Sequence, residues 1–248
     1  MALLELSDEN YYTPEANKDY WSVSQYKSFC RCEASAMAQL RGEYKQPITK
    51  ALLVGSYVDS YIEGTLDRFK QEHPEVFTIH AKRLRAEFRQ ADEIIRRIES
   101  NSYFNKFLSG EKQKILTAEM FGVPWKIKMD SFIKGKCIVD LKVVRKTDSL
   151  PYWGYDLQGA VYQAVAEANG YGHLPFYLAV VTKEKVSDMN IIQIEQSFLD
   201  MRLKEIEENM PHLIAVKNGE VEPERCECCD YCKLTRKTKV WGYSRLVK

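Results

Sequence analysis

The sequence predicts an α/β protein in which a mixed β-sheet is covered by helices on both faces. Five runs have strand character, "ILTAEMFG", "WKIKMDSFI", "CIVDLKVV", "FYLAVVT" and "NIIQIEQ", and helical patterns both precede and follow them. No internal repeat or low-complexity linker interrupts the 248 residues, so they read as one compact domain, residues 1–248, with appended ends. With 45% hydrophobic and 29% charged residues, the composition is that of an ordinary globular chain with a real core. No apolar run approaches the roughly 20 residues that span a bilayer. The start "MALLELSDENYY" lacks a basic segment followed by an apolar one, which predicts a cytoplasmic location.

The elements follow in order. "SVSQYKSFCRCEASAMAQLRG" predicts a short helix or helix pair capped by Ser22 or Ser24. In "ALLVGSYVDSYIEGTL", Leu52, Gly55, Asp59, Ile62 and Leu66 recur at three- and four-residue steps, so an acid interrupts an otherwise apolar helix face. Residues 80–100 predict a charged amphipathic helix. The period then changes to two through three consecutive strands, with turns near Gly122-Val123-Pro124 and Lys134-Gly135-Lys136. A helix over 154–169, two strands, and a long helix over about 198–216 with Pro211 inside or bending it complete the chain.

The strand "CIVDLKVV" poses the chemical question. Alternation puts Asp140 and Lys142 on one face with Ile138 and Val144, and Val139, Leu141 and Val143 on the other. If both faces are covered, an unpaired charge costs several kcal/mol. If the turn at Gly135 has an odd number of loop residues, Asp130 sits opposite Asp140 on that face; a two-residue turn separates them. Two facing carboxylates need a cation between them, and a divalent metal supplies it more completely than one lysine. Hard cations such as Mg²⁺ take carboxylate and water ligands of this kind, and the arrangement suits phosphodiester hydrolysis. The plainer reading is a pair of salt bridges on a half-exposed hairpin.

Net charge is +1, unevenly spread. Residues 126–146 carry seven Lys/Arg against two acids, and residues 225–248 again seven against two, a local +5 each. Residues 184–224 carry ten acids against four bases, a local −6. Basic segments beside a candidate site suggest a polyanion partner such as nucleic acid.

"GSYVDSYIEG", the Glu119 strand, "KMD", "VDLK" and "LQGAVYQA" resemble, in order, the motifs of the PD-(D/E)XK nuclease superfamily. The likeness is greatest to its RecB-like and RecE-like members, including phage-type exodeoxyribonucleases of the exonuclease VIII kind. It implies a restriction-endonuclease-like core. It implies Asp59, Asp130 and Asp140 as ligands of Mg²⁺ or Mn²⁺, with Asp59 where many relatives have histidine. It implies Lys142 as the catalytic lysine and Glu119 as a catalytic or metal-proximal acid. Gln158 and Tyr162, at i and i+4 of one helix face, match a motif that helps hold DNA. The activity implied is an exonuclease that resects duplex ends for phage-type recombination, with a RecT-like annealing protein as partner and a homo-oligomeric ring as a possible assembly. A DNA-binding or assembly module with weak cleavage, and a structure- or site-specific endonuclease, are the competing readings.

Seven cysteines in a reducing compartment are not expected to pair as disulfides. "CECCDYC" spaces Cys226, Cys229 and Cys232 as C-x-x-C-x-x-C, with Cys228 extra. Three thiolates can wrap a metal or cluster, and a fourth usually completes it. "SVSQYKSFCRC" resembles the segment that supplies the fourth ligand of a [4Fe–4S] cluster in some RecB-like nucleases, which selects Cys32 and leaves Cys30 as a neighbour. The spacing also allows Zn²⁺. Either site would tie residues of about 20–40 to those of about 222–248. Cys137 reads as a plain strand residue.

Overall fold

The computed structural model describes residues 3–80, 82–238 and 240. The predicted C-terminal segment is therefore seen to Tyr231, Cys232 and the residues just after them. Its basic residues Lys239, Arg245 and Lys248 lie outside the described residues. In chain order the helices and strands are α1 (Pro14–Asp19), α2 (Val23–Arg31), α3 (Glu33–Leu40), α4 (Lys50–Ile62), α5 (Leu66–Glu72), α6 (Ala86–Glu99), α7 (Ser102–Phe107), β1 (Lys114–Met120), β2 (Val123–Met129), β3 (Ser131–Ile133), β4 (Cys137–Val144), α8 (Tyr155–Ala168), β5 (Phe176–Thr182), β6 (Met189–Gln193), α9 (Gln196–Asn218) and α10 (Asp230–Thr235). A 3-10 segment, Thr147–Trp153, joins β4 to α8.

The main sheet has the order β3-β4-β5-β6, with β4 and β5 parallel and the outer pairs antiparallel. It is the expected mixed sheet. Its two faces carry separate cores. Ile138, Val144, Leu178 and Val180 pack with α2, α8 and α9, while Val139, Leu141, Ala179 and Val181 pack with α4 and α6. The alternation in "CIVDLKVV" is thus the alternation between the two cores. Helix α8 presses onto β5 and α9 at Gly159, where a Cβ would stand 2.6 Å from Phe176 Cδ1 and 2.9 Å from Leu199 Cδ2. That close approach fixes the height of Gln158, its neighbour, above the sheet.

Several sequence expectations are corrected. "WKIKMDSFI" is two strands: β2 pairs with β1 in a separate two-stranded sheet, and β3 pairs with β4. The break falls at Asp130, whose side chain accepts the Leu141 N–H at 2.8 Å and so replaces a regular ladder bond. The predicted helix over 80–100 begins only at Ala86, because Phe77 and Leu84 form an isolated antiparallel bridge ahead of it. In α4 the buried stripe is Leu53, Val54, Tyr57 and Val58, and Leu52 is exposed, so Asp59 lies half-buried on the flank of that stripe. The expected helix pair near residue 22 is α2, capped by the Ser22 hydroxyl accepting the Gln25 N–H, followed by α3, with Cys32 at the joint. Pro211 lies inside α9. No helix among the described residues is long and apolar enough to cross a membrane.

Candidate active site

The hairpin from β3 to β4 pairs Ser131 with Val139 and Ile133 with Cys137, leaving the three-residue loop Lys134, Gly135 and Lys136. Gly135 takes φ +70°, the left-handed residue that such a loop needs. The loop is odd, so continuing the register by one residue sets Asp130 opposite Asp140. The expected juxtaposition of the two acids therefore follows from the turn.

Asp140 is 2% exposed. Its Oδ1 accepts the Gln158 side-chain N–H at 2.7 Å. Its Oδ2 is buried and has no hydrogen-bond partner of regular geometry among the described residues, although it is in ion contact with the Lys142 ammonium. The charges touch at this oxygen, but the atom keeps unused acceptor capacity. Asp130 is tethered to β4 through the Leu141 N–H, and its Oδ1 accepts a longer bond of 3.4 Å from Gln113.

The acids act on one another electrostatically. Burial first, and then the Asp140 charge, push Asp130 up to about 7 against the pull of Lys142 and the Leu141 N–H. Burial, then Asp130, raise Asp59 well above the ordinary carboxylate range, with Asp140 and Glu63 adding to the repulsion. Burial works against the Lys142 ammonium, but Asp140, Asp130 and Asp59 outweigh it and raise its affinity for the proton. Three carboxylates thus face one ammonium. Full ionisation leaves an excess of two negative charges, which the metal-free chain can reduce by holding protons. A divalent cation removes the same excess, and Asp140 Oδ2, in ion contact with Lys142 but with acceptor capacity to spare, is an oxygen of the kind such a cation takes. The facing carboxylates of Asp130 and Asp140 offer oxygen donors of the kind Mg²⁺ or Mn²⁺ takes; among the described residues, the group that gathers three or more ligand atoms within 4.8 Å is a set of cysteines rather than these acids.

Other expected site residues fall differently. Glu119 is exposed on β1 and pairs with Pro124, whereas Met129, next to Asp130, pairs with Lys114 at the other end of the ribbon. Five residues of strand separate them, about 17 Å, so Glu119 does not join the carboxylates. Tyr162 is buried and its hydroxyl donates to the Lys128 carbonyl at 2.9 Å, so it braces β2 rather than facing DNA. Gln158 is committed to Asp140.

Several contributors escape the sequence reading. Tyr155 lies with its ring centroid 5.2 Å from Lys142 Nζ and 5.7 Å from Lys27 Nζ. Burial, then Lys142, pull Lys27 down to about 8. Glu63, the residue that caps α4 four positions after Asp59, had a legible spacing; Gln113 had none.

A second cluster stands apart. The ligand atoms of Cys32, Cys226, Cys229 and Cys232 all lie within 4.8 Å of one another. Cys32 and Cys232 Sγ are 3.6 Å apart and Cys226 and Cys232 Sγ 4.0 Å apart. Backbone N–H groups of Cys228 and Cys229 pull the Cys226 thiol down to about 6. Burial pushes Cys232 up to about 12. Cys30 and Cys228 are exposed outside the set, and Cys137 is a buried core residue. The sulfur chemistry and spacing suit a metal.

A half-buried Asp130 facing a buried Asp140 on a hairpin, with a lysine two residues along the strand, has the pattern of a PD-(D/E)XK-type site. Residues 22–235 match the family described as "PDDEXK-like domain of unknown function (DUF3799)", and the chain belongs to that family. It is similar to the crystal structure of "Putative exonuclease" from Eubacterium rectale, with 48% identity over 98% of both chains and a TM-score of 0.95. The structure of SSO0001 aligns over 70% of this chain and 81% of its own, at 16% identity and a TM-score of 0.29. No curated protein matches the chain.

Proposed function

We propose that the chain is a divalent-metal-dependent exodeoxyribonuclease that resects the ends of linear duplex DNA in phage-type homologous recombination. The observation that carries the reading is the facing of Asp130 and Asp140 across the β3–β4 hairpin, with the Lys142 ammonium in ion contact with Asp140. A bound Mg²⁺ or Mn²⁺ supplies a water of lowered pKa and neutralises charge developing on the phosphate. Lys142 remains an ammonium in this acidic setting, so it donates hydrogen bonds that orient the attacking water or a phosphate oxygen. Gln158 holds Asp140 in place, and the Leu141 N–H does the same for Asp130. The end-directed activity rests on the resemblance to RecE-like enzymes and on the description of the Eubacterium rectale relative as "Putative exonuclease". A RecT-like annealing protein, a homo-oligomeric ring and a cytoplasmic setting belong to the same proposal.

The four cysteines take a structural metal in this reading. A tetrahedral ion with Zn–S bonds of about 2.3 Å sets its sulfurs about 3.8 Å apart. Four sulfurs all within 4.8 Å of one another, the nearest pairs at 3.6 and 4.0 Å, favour one ion over a [4Fe–4S] cluster, whose thiolates bind four different irons and stand farther apart.

The test is digestion of linear and covalently closed duplex DNA with Mg²⁺ or Mn²⁺. The wild type should degrade the linear form and spare the circle. Asp140→Ala and Lys142→Ala should each lose roughly 100-fold or more. Cutting of closed circles refutes the exonuclease reading in favour of an endonuclease; DNA binding with no metal-dependent cleavage favours a holding module.

A further inference from the structure

Residues 145–153, Arg-Lys-Thr-Asp-Ser-Leu-Pro-Tyr-Trp, connect the strand that bears Asp140 and Lys142 to the helix that bears Gln158. Leu150 turns inward and is buried, but Tyr152 is 87% exposed and Trp153 59% exposed. Two adjacent large rings left in water are surface that packing does not require, and such surface marks a contact. The segment is also held at the site. The Trp153 carbonyl accepts the Lys27 ammonium at 2.8 Å, and Lys27 lies over the ring of Tyr155, the same ring that Lys142 approaches. Arg145 and Lys146, at the start of the segment, are exposed, with Asp148 as its one acid.

We infer that Tyr152 and Trp153 form a platform on which unpaired nucleobases of the substrate strand stack, while Lys27, Arg145 and Lys146 take its phosphates. Aromatic rings interleaved with cations suit a single strand because every base offers a π-face and every linkage a negative charge. A base inside a duplex has both faces covered by its neighbours, so the platform selects frayed or single-stranded DNA. The assignment rests on the nuclease reading for its substrate. It gives the uncovered rings a role: their segment is linked through Lys27 and Tyr155 to Lys142, and a strand that nearby acids repel needs a hold of this kind.

The experiment is an anisotropy titration with fluorescein-labelled oligothymidylate of about 12 nucleotides and a blunt duplex of the same length, in Ca²⁺. It uses the full chain, wild type, Tyr152→Ala/Trp153→Ala and Trp153→Phe, with the sedimentation of each measured in parallel. The double variant should bind the single strand roughly 10- to 100-fold more weakly and the duplex within about threefold of wild type, and Trp153→Phe should retain most of the affinity. Unchanged single-strand affinity, or equal losses for both DNAs, overturns the platform. If the double variant converts a wild-type oligomer to monomer, the patch belongs to a second copy of the chain and the inference is equally overturned. Mg²⁺-dependent digestion of linear duplex, measured separately, reports on the nuclease reading, so failure of one is distinguishable from failure of the other.

Discussion

Replacing Gln158 by leucine removes the donor to Asp140 Oδ1 while keeping the side chain's bulk. The lost bond, 2.7 Å long, goes to a carboxylate that is 2% exposed and whose second oxygen already lacks a regular partner. A hydrogen bond to a charged group contributes about 1.5–3 kcal/mol. Both states of the variant lose it, but with different consequences. Without metal, Asp140 is left more poorly solvated and melting falls by about 3–12 °C at roughly 2–4 °C per kcal/mol. With metal, the carboxylate loses its orientation, and removal of such an outer partner costs about 10- to 100-fold in affinity. Calorimetric titration with Mn²⁺ alongside thermal melting measures both. Gln158→Glu, which keeps the length but adds a repelling charge, should be at least as weak. Normal Mn²⁺ affinity in Gln158→Leu, with DNA affinity alone reduced, would refute the positioning role and restore Gln158 as a DNA contact.

Asp130 is raised from its ordinary 3.8 to about 7, so the folded metal-free chain holds a proton that the unfolded chain has released. Its stability should therefore fall as pH rises from about 4 to about 7, while Mn²⁺ affinity rises over the same window with proton release; flat profiles in both contradict the shared site. Tyr162→Phe deletes the bond to the Lys128 carbonyl and should cost about 0.5–1.5 kcal/mol in denaturant unfolding with DNA affinity unchanged. Glu119→Gln should leave the cleavage rate within about twofold, as expected of an exposed residue off the site. Wild-type protein should carry one zinc ion per chain by elemental analysis, and Cys232→Ser should lose it and melt earlier; a broad visible absorption band would instead indicate iron and sulfur.

What the sequence disclosed depends on how local the cause was. The facing of Asp130 and Asp140 was legible only as one of two parities, because counting fixes it once the loop length is known, and the fold supplies the three-residue loop. The two cores were legible from the alternation in "CIVDLKVV", since each face is covered. The split of β2 from β3 was not, because it arises where the Asp130 side chain captures an N–H eleven residues away. Leu52 and Leu53 are equally apolar, so periodicity alone chose the wrong flank for the buried stripe of α4, and only packing against α6 decides it. Glu119 was misjudged for a similar reason: a strand's presence says nothing about which end meets the next acid. Lys27 and Tyr155 come from elements 128 positions apart with no motif between them, and only the fold brings them to one ring. Cys32 rather than Cys30 was recoverable, and its position at the joint between α2 and α3 explains why its thiol can turn toward α10.

The central claim is that Asp59, Asp130 and Asp140 hold one divalent cation beside Lys142. Anomalous diffraction from crystals soaked in Mn²⁺ tests it directly. The expected result is a peak within about 2.5 Å of carboxylate oxygens from Asp130 and Asp140, with Asp59 in the same coordination sphere or bonded to a water on the metal. That peak should vanish in Asp140→Asn. A strong peak elsewhere on the chain with none between these acids, or no peak at any Mn²⁺ concentration that supports cleavage, would contradict it.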